Sequence, residues 1–380
     1  MRAAVFYGPG SIANEEVDFD FRYSPTESQR SYGRTEGDVF LTVKACAVCG
    51  YDVRVYRNGH HKIVSPVILG HEICAQVNSD IIVNTSRSGQ TNNTKRTLKA
   101  GSRVAVSPII PCLNCVYCQF ELYNLCINLK EIGSSVNGGF AEFVKIPPQL
   151  LKIGGLVPVP DNLSDEEAAL LEPLACCLNG LYHLKPLIRK NELGSVAIIG
   201  DGPIGLLHLQ LVKNMTNANV AVIGRISQRL KQAKSMGANA TITFADDAQF
   251  DQSLQKTLEL TGGVGFNVII IATSNPVALD FALKIASKNS RINIFAGMPK
   301  ITKPSMFSLD PNFLHYNQIS ITGSFSSTPH TLMEAAKLVS QGAIDLAKLV
   351  TQKYHLRDIV QAVVDTETYR GLRIVINRFH

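Results

Sequence analysis

The chain has 380 residues, with 37 Lys and Arg against 31 Asp and Glu for a formal charge of +6, and is 45% hydrophobic and 18% charged. That composition excludes disordered and collagen-like classes, and the length leads us to expect two domains. The basic residues are scattered rather than gathered into a nucleic-acid tail, and no apolar run approaches the roughly 20 residues of a membrane span. The opening Met1-Arg2-Ala3-Ala4-Val5-Phe6-Tyr7-Gly8 reads as a strand entering a turn, not a secretion signal, so a cytoplasmic protein is expected. In that compartment nine cysteines are expected to be reduced, and their clusters to be metal ligands before disulfides.

Through about residue 160 the chain shows short β-type runs, Val39–Val43, Ile73–Val77 and Val104–Val106, separated by Gly, Pro and Asn. Such spacing predicts a small barrel-like β unit. Two polar stretches, 12–38 and 78–100, read as loops or hairpins on it, the second being the candidate mobile segment. Ser164-Asp165-Glu166-Glu167 is a capping box that predicts a helix start. From Ser195 apolar runs alternate with helical stretches: Val196–Ile199, Val220–Ile223, Val268–Ile271 and Ile292–Phe295. This alternation predicts a parallel, doubly wound sheet with strands buried on both faces. A helix over Leu332–Ser340 and a last strand, Leu372–Ile376, are expected to rejoin the first domain.

Three constellations carry chemistry. Cys112, Cys115, Cys118 and Cys126 place four thiols within a short turn-rich loop. Four thiolates close a tetrahedral shell around Zn²⁺ and leave no open position, which marks a structural site; an iron–sulfur cluster is the competing reading, disfavoured because no Cys-Pro ends the run. Gly200-Asp201-Gly202-Pro203-Ile204-Gly205 follows a strand and opens a helix, the context in which a dinucleotide pyrophosphate rests on a helix N-terminus. At the end of the next strand, where NAD sites place an acid, stand Ile223-Gly224-Arg225, with Arg229 one turn on. Gly224 in the acid's place favours NADP over NAD, although Arg225 could instead be a solvated helix-start residue or stack on adenine. The third set is dispersed: Cys49-Gly50-Tyr51-Asp52, Gly70-His71-Glu72 and Glu172-Pro173. A thiolate, an imidazole and a carboxylate from separate loops make a three-ligand metal site with its fourth position open. Taken singly, His71 reads equally as a packed core histidine, Cys49 as a small core residue and Glu172 as a carboxylate on a helix.

In this order, Cys49-Gly50-x-Asp52, Gly70-His71-Glu72, the four-Cys lobe, Gly139-Phe140-Ala141-Glu142, Glu172-Pro173-Leu174 and Gly200–Gly205 resemble the zinc-containing medium-chain dehydrogenase/reductase superfamily. The tail, with Ile321–Phe325 and Ile344-Asp345-Leu346, is similar too, so the resemblance spans nearly the whole chain. It implies an α/β protein with a GroES-like catalytic domain, 1–173 completed by 326–380, around a Rossmann domain, 174–325. It further implies two Zn²⁺ per chain. Cys49, His71 and Glu172 would ligate the catalytic ion, with Glu72 as an alternating ligand or a base behind it and Asp52 orienting His71. Glu172-Pro173 resembles the polyol, sugar and threonine dehydrogenases, whereas the simple-alcohol branch has Cys at Glu172's position.

The expected reaction is hydride transfer between a secondary alcohol, polyol- or sugar-like, and NADP(H), with zinc acidifying the alcohol in a cleft between the domains. A simple-alcohol or threonine-type enzyme using NAD is the alternative. One departure from the family is Tyr51, at a position that usually carries a proton-relaying Ser or Thr. His60, His61, His315 and Tyr316 are candidate cleft residues, each equally readable as surface or packing. A homodimer or homotetramer is expected, with Ile292–Phe295 beside Ile319–Ile321 as a candidate interface edge. Two rival readings stand against this: a zinc-free reductase of the same superfamily, which would lack the Cys49, His71 and Glu172 set, and a zinc-ribbon nucleic-acid binder, which the scattered charge and the dinucleotide turn disfavour.

Overall fold

The computed structural model describes residues 1–18, 37–85, 94–184, 194–244, 250–298 and 309–380. They form two compact units, Met1–Cys176 with Ser326–His380, and Cys177–Phe325. Of the stretch read at 12–38, Ser11–Glu16 is a strand; of that at 78–100, Ile81–Thr85 pairs antiparallel with Thr94–Leu98. Residues 19–36 and 86–93, including the heart of the candidate mobile segment, lie outside the described residues.

The first unit is β-rich. Its largest sheet runs Leu156–Pro158, Arg103–Val106, Glu72–Val77, Val39–Ala47, Arg373–Arg378 and Val350–His355, with Phe143–Ile146 also pairing Val39–Ala47. Val39–Ala47 alternates buried and half-buried residues over most of its length, as a strand with one face on a core must. Leu41, Ile73, Phe6, Phe140 and Ile376 fill that core, and each fully buried side chain of this size contributes about 1.5–3 kcal/mol of apolar transfer. The C-terminal strand enters antiparallel to Val39–Ala47, with Val375 opposite Ala47 and Ile376 opposite Cys46. Continuing that register by two residues brings Arg373 across from Cys49.

The second unit is a six-stranded, wholly parallel sheet in the order Ala240–Thr243, Asn219–Gly224, Ser195–Ile199, Phe266–Ile271, Ala286–Ile294, Ser320–Gly323. Val196–Ile199 and Val220–Gly224 are buried throughout, which is why they read as continuous apolar runs. Sequential strands diverge from Ser195–Ile199, so the order reverses beside it, and the crevice at such a reversal is where α/β sheets bind ligands. Of the candidate interface segments, Ala286–Ile294 lies inside the sheet and Ser320–Gly323 is its last strand among the described residues.

Two helices show why sequence signals held. Ser164 caps Asp165–Ala169 reciprocally: Glu167 N donates to Ser164 Oγ at 3.3 Å and Ser164 N donates to a Glu167 carboxylate oxygen at 2.9 Å. The helix expected from Leu332 starts earlier, at Pro329, because Thr328 accepts from Thr331 N and Pro at the first helical position has no N–H to leave unsatisfied.

Candidate active site

Cys49 lies at the N-cap of the Gly50–Asn58 helix, and Asp52 in its first turn accepts from Cys49 N at 2.8 Å. That single bond ties the thiol's backbone to a wholly buried carboxylate. His71 follows a glycine turn and Glu72 opens the Glu72–Val77 strand, paired with Ala47 just before Cys49. Strand pairing therefore converts a separation of more than twenty residues into a cluster. Cys49, His71 and Glu72 each offer one ligand atom, all within 4.8 Å of one another. Glu172 stands outside that group: buried at the start of the Leu171–Tyr182 helix, its Oε1 accepts from Cys176 Sγ at 3.2 Å and Ser327 Oγ at 3.5 Å.

Charge in the cluster is unbalanced by burial. Burial pushes the Cys49 thiol up, but the hydrogen bond and charge of His71, with Arg373, outweigh it and bring it down to about 7. Burial pushes His71 down, yet Cys49, Asp52 and Glu172 raise it well above the ordinary histidine range. Glu72 is driven well above the usual carboxylate range by burial, opposed by Arg373 and His71. Asp52 Oδ1 lies 3.8 Å from His71 Nδ1, an ion-pair distance too long for a hydrogen bond. Among the described residues Asp52 Oδ1 and both Glu72 oxygens are buried without a hydrogen-bond partner. Arg373 Nη2 approaches Glu72 Oε1 to 3.0 Å but at an angle that makes an ion pair only. Orphaned carboxylate oxygens beside a low-pKa thiol and an imidazole are a donor set that fits Zn²⁺.

The four-Cys loop is a second cluster. Cys112, Cys115, Cys118 and Cys126 have their sulfurs within 4.8 Å of one another, none of the nine cysteines is in a disulfide, and Cys112 N donates to Cys126 Sγ at 3.1 Å. A backbone bond from Ile127 holds Cys115 down at about 6 despite burial, and bonds from Asn114 and Cys115 lower Cys112. Burial raises Cys118 to about 12. Amides aimed at sulfur favour thiolates, which a tetrahedral ion requires.

In the second unit, Gly200 ends its strand at φ +127, and a Cβ there would lie 2.6 Å from Ala272 O. A Cβ on Gly205 would lie 1.9 Å from Gly200 O, so only glycine lets the Pro203–Met215 helix start so close to the strand. At Gly202, the N-cap, a Cβ would meet nothing within 4 Å. Pro203 and Ile204 begin the helix. Open space at a glycine N-cap directly after a strand fits a dinucleotide pyrophosphate. At the neighbouring strand end Arg225 is exposed and Arg229 buried.

Residues 35–161 match the alcohol dehydrogenase GroES-like domain and residues 203–341 the zinc-binding dehydrogenase domain. This chain is a zinc-containing medium-chain dehydrogenase/reductase. It is 29% identical to D-arabitol-phosphate dehydrogenase of Enterococcus avium over 85% of each chain. It is 28% identical to sorbitol dehydrogenase of Bacillus subtilis over 86% of this chain and 85% of that one. A zinc-binding dehydrogenase of Sinorhizobium meliloti bound to NADP superposes with a TM-score of 0.79 at 26% identity, covering 99% of this chain and 98% of the other. The expected α/β fold, a GroES-like unit with a Rossmann unit, is thereby shown, as is the enzyme class, a zinc-type alcohol dehydrogenase of EC 1.1.1. No helix among the described residues is long and apolar enough to cross a membrane.

In this dehydrogenase Tyr51 Oη sits 3.0 Å from Ser134 Oγ and 3.5 Å from His60 Nδ1, and its ring packs edge-on to His71 with centroids 5.7 Å apart. His60 thus joins the site's surroundings and stacks on the exposed His61, whereas His315 and Tyr316 are exposed on the Pro311–Asn317 helix of the other unit. Sequence reasoning missed Arg373, whose Nη1 also donates to Val48 O at 3.1 Å. Its signal was a charge within the apolar run Leu372-Arg373-Ile374-Val375-Ile376. It missed Ser134 as well, which nothing local distinguishes from any loop serine.

Proposed function

We propose that this dehydrogenase moves a hydride between a secondary, polyol-like alcohol and NADP(H), with one zinc ion at the Cys49, His71, Glu72 and Glu172 donors and another in the four-thiol loop. The observation that carries it is the open cluster: three donors within 4.8 Å, one of them with both carboxylate oxygens buried and unsatisfied, against four thiols that close their own shell. When bound, zinc supplies Lewis acidity that brings an alcohol's pKa toward neutrality. The chain's own groups do the rest. Asp52 fixes Cys49 through its backbone amide and faces His71. Arg373 balances Glu72 so that the buried carboxylate can remain charged or be drawn aside. Glu172, released from Cys176 and Ser327, would be the third donor beside Cys49 and His71, with Glu72 alternating with it, so that a fourth position stays open to the alcohol.

For the proton, Tyr51 takes the relay role. Its hydroxyl takes up the alcohol's proton as it gives its own to His60, which burial and the neighbouring His61 keep below its ordinary pKa and able to accept. The polyol reading draws on Glu172 in place of a thiolate and on the arabitol-phosphate and sorbitol dehydrogenases it resembles. The NADP reading draws on Gly224 and the exposed Arg225, a planar donor suited to a 2′-phosphate. A homodimer or homotetramer completes the proposal. The test is a panel of vicinal diols, sugar alcohols and their phosphates against ethanol and propanol, read by absorbance of the reduced cofactor. Polyols should show the higher kcat/KM; simple primary alcohols winning would refute the polyol reading.

A further inference from the structure

Gly224 leaves its strand end without an acid, yet a carboxylate is there. A Cβ on Gly224 would lie 2.4 Å from Asp201 Cβ and 2.6 Å from Asp201 Oδ2, so the side chain of Asp201, the second residue of the glycine turn, fills the volume where a strand-end acid would begin. Asp201 is buried, 8% exposed. Its Oδ2 accepts from Arg225 N at 2.9 Å and from Ile226 N at 2.6 Å. These are the two amides that follow the strand end, and an anion arriving at that corner would need them. Its other oxygen, Oδ1, has no hydrogen-bond partner among the described residues. Asp201 is thus an anion already seated on the donors of the corner, with charge left over.

We infer that Asp201 is a specificity-determining residue that restrains binding of the 2′-phosphate. The inference rests on the reading that the Gly200–Gly205 turn holds the dinucleotide. A 2′-phosphate brought to the end of the Asn219–Gly224 strand meets a fixed carboxylate at close range and finds the Arg225 and Ile226 amides engaged. Arg225 supplies the opposing attraction through its guanidinium. The free 2′-hydroxyl of NAD suffers neither penalty and can donate to a carboxylate oxygen. Cofactor choice is therefore a contest between Asp201 and Arg225, two residues whose positions in the sequence lie in different motifs. At the few ångströms that would separate the two, removing one unit of like charge is worth about tenfold in affinity.

The experiment is calorimetric titration of the intact, zinc-replete protein with adenosine 2′,5′-bisphosphate and with 5′-AMP, which differ at the 2′ position alone. Asp201→Asn keeps an oxygen acceptor for the two amides while losing the charge. It should tighten the bisphosphate about tenfold and leave 5′-AMP within about twofold. A residue that merely braces the turn would, on substitution, weaken both ligands together, and an unchanged or lower bisphosphate-to-AMP preference overturns the inference. Should Asp201→Asn fail to fold, Asp201→Ser, which also retains an acceptor, is read by the same ratio. If neither nucleotide binds the wild type, the dinucleotide reading itself falls; if both bind and the ratio does not move, only the role of Asp201 does.

Discussion

Arg373 and Glu72 face each other at 3.0 Å with both side chains almost wholly buried. Removing one partner of such a pair strands the other charge away from water, a loss of about 3–5 kcal/mol. Arg373→Met should therefore lower the stability seen in urea denaturation by that amount, and Glu72→Gln in the same chain should restore part of it. A loss below about 1 kcal/mol would mean that water or another cation reaches Glu72. At this scale the sequence was only half readable. Cys49, His71 and Glu72 stood out only through their joint order with the four-Cys lobe and the glycine turn, since singly each reads equally as a core or helix residue. Arg373 and Asp201 could not, because each acts through a partner distant in the chain: one through strand register, the other through the gap left by a missing side chain.

Helices and turns were more legible, since their rules are local. The Ser164 capping box and the spacing of Gly200, Gly202 and Gly205 depend on neighbours within six residues, and the structure obeys both. What local rules do not reveal is the interior of the Pro203–Met215 helix. His208 there is fully buried, packs edge-on against Phe295 at 4.7 Å and has no hydrogen-bond partner on either nitrogen among the described residues. Burial lowers its pKa to about 3. The unfolded chain, with an ordinary histidine near 6.5, binds the proton first, so stability is undiminished above about pH 6.5 and falls as pH drops toward about 3. His208→Leu removes that proton uptake. Its stability advantage over wild type should widen by about 2 kcal/mol between about pH 7.5 and about pH 5, and a pH-independent difference in urea unfolding would show His208 to be hydrated or paired.

For the whole molecule, alternating strands and helices gave the parallel sheet, while the β-rich unit was readable only as short strands at close spacing. Its real organiser, the pairing of Arg373–Arg378 with Val39–Ala47, joins segments more than three hundred residues apart, and no periodicity within either segment reports the other. That closure also brings Arg373 to the Cys49 cluster, so the fold of the first unit and its chemistry stand or fall together. Zinc content, measured on metal-replete wild type, Cys49→Ser and Cys112→Ser proteins, tests this most directly. Two ions per wild-type chain are expected, falling to one in each variant. Cys49→Ser should stay folded and lose turnover, while Cys112→Ser should lose stability, because a closed thiolate shell contributes folding free energy. A wild-type chain that binds at most one zinc would contradict the assignment of an open catalytic site beside a closed structural one.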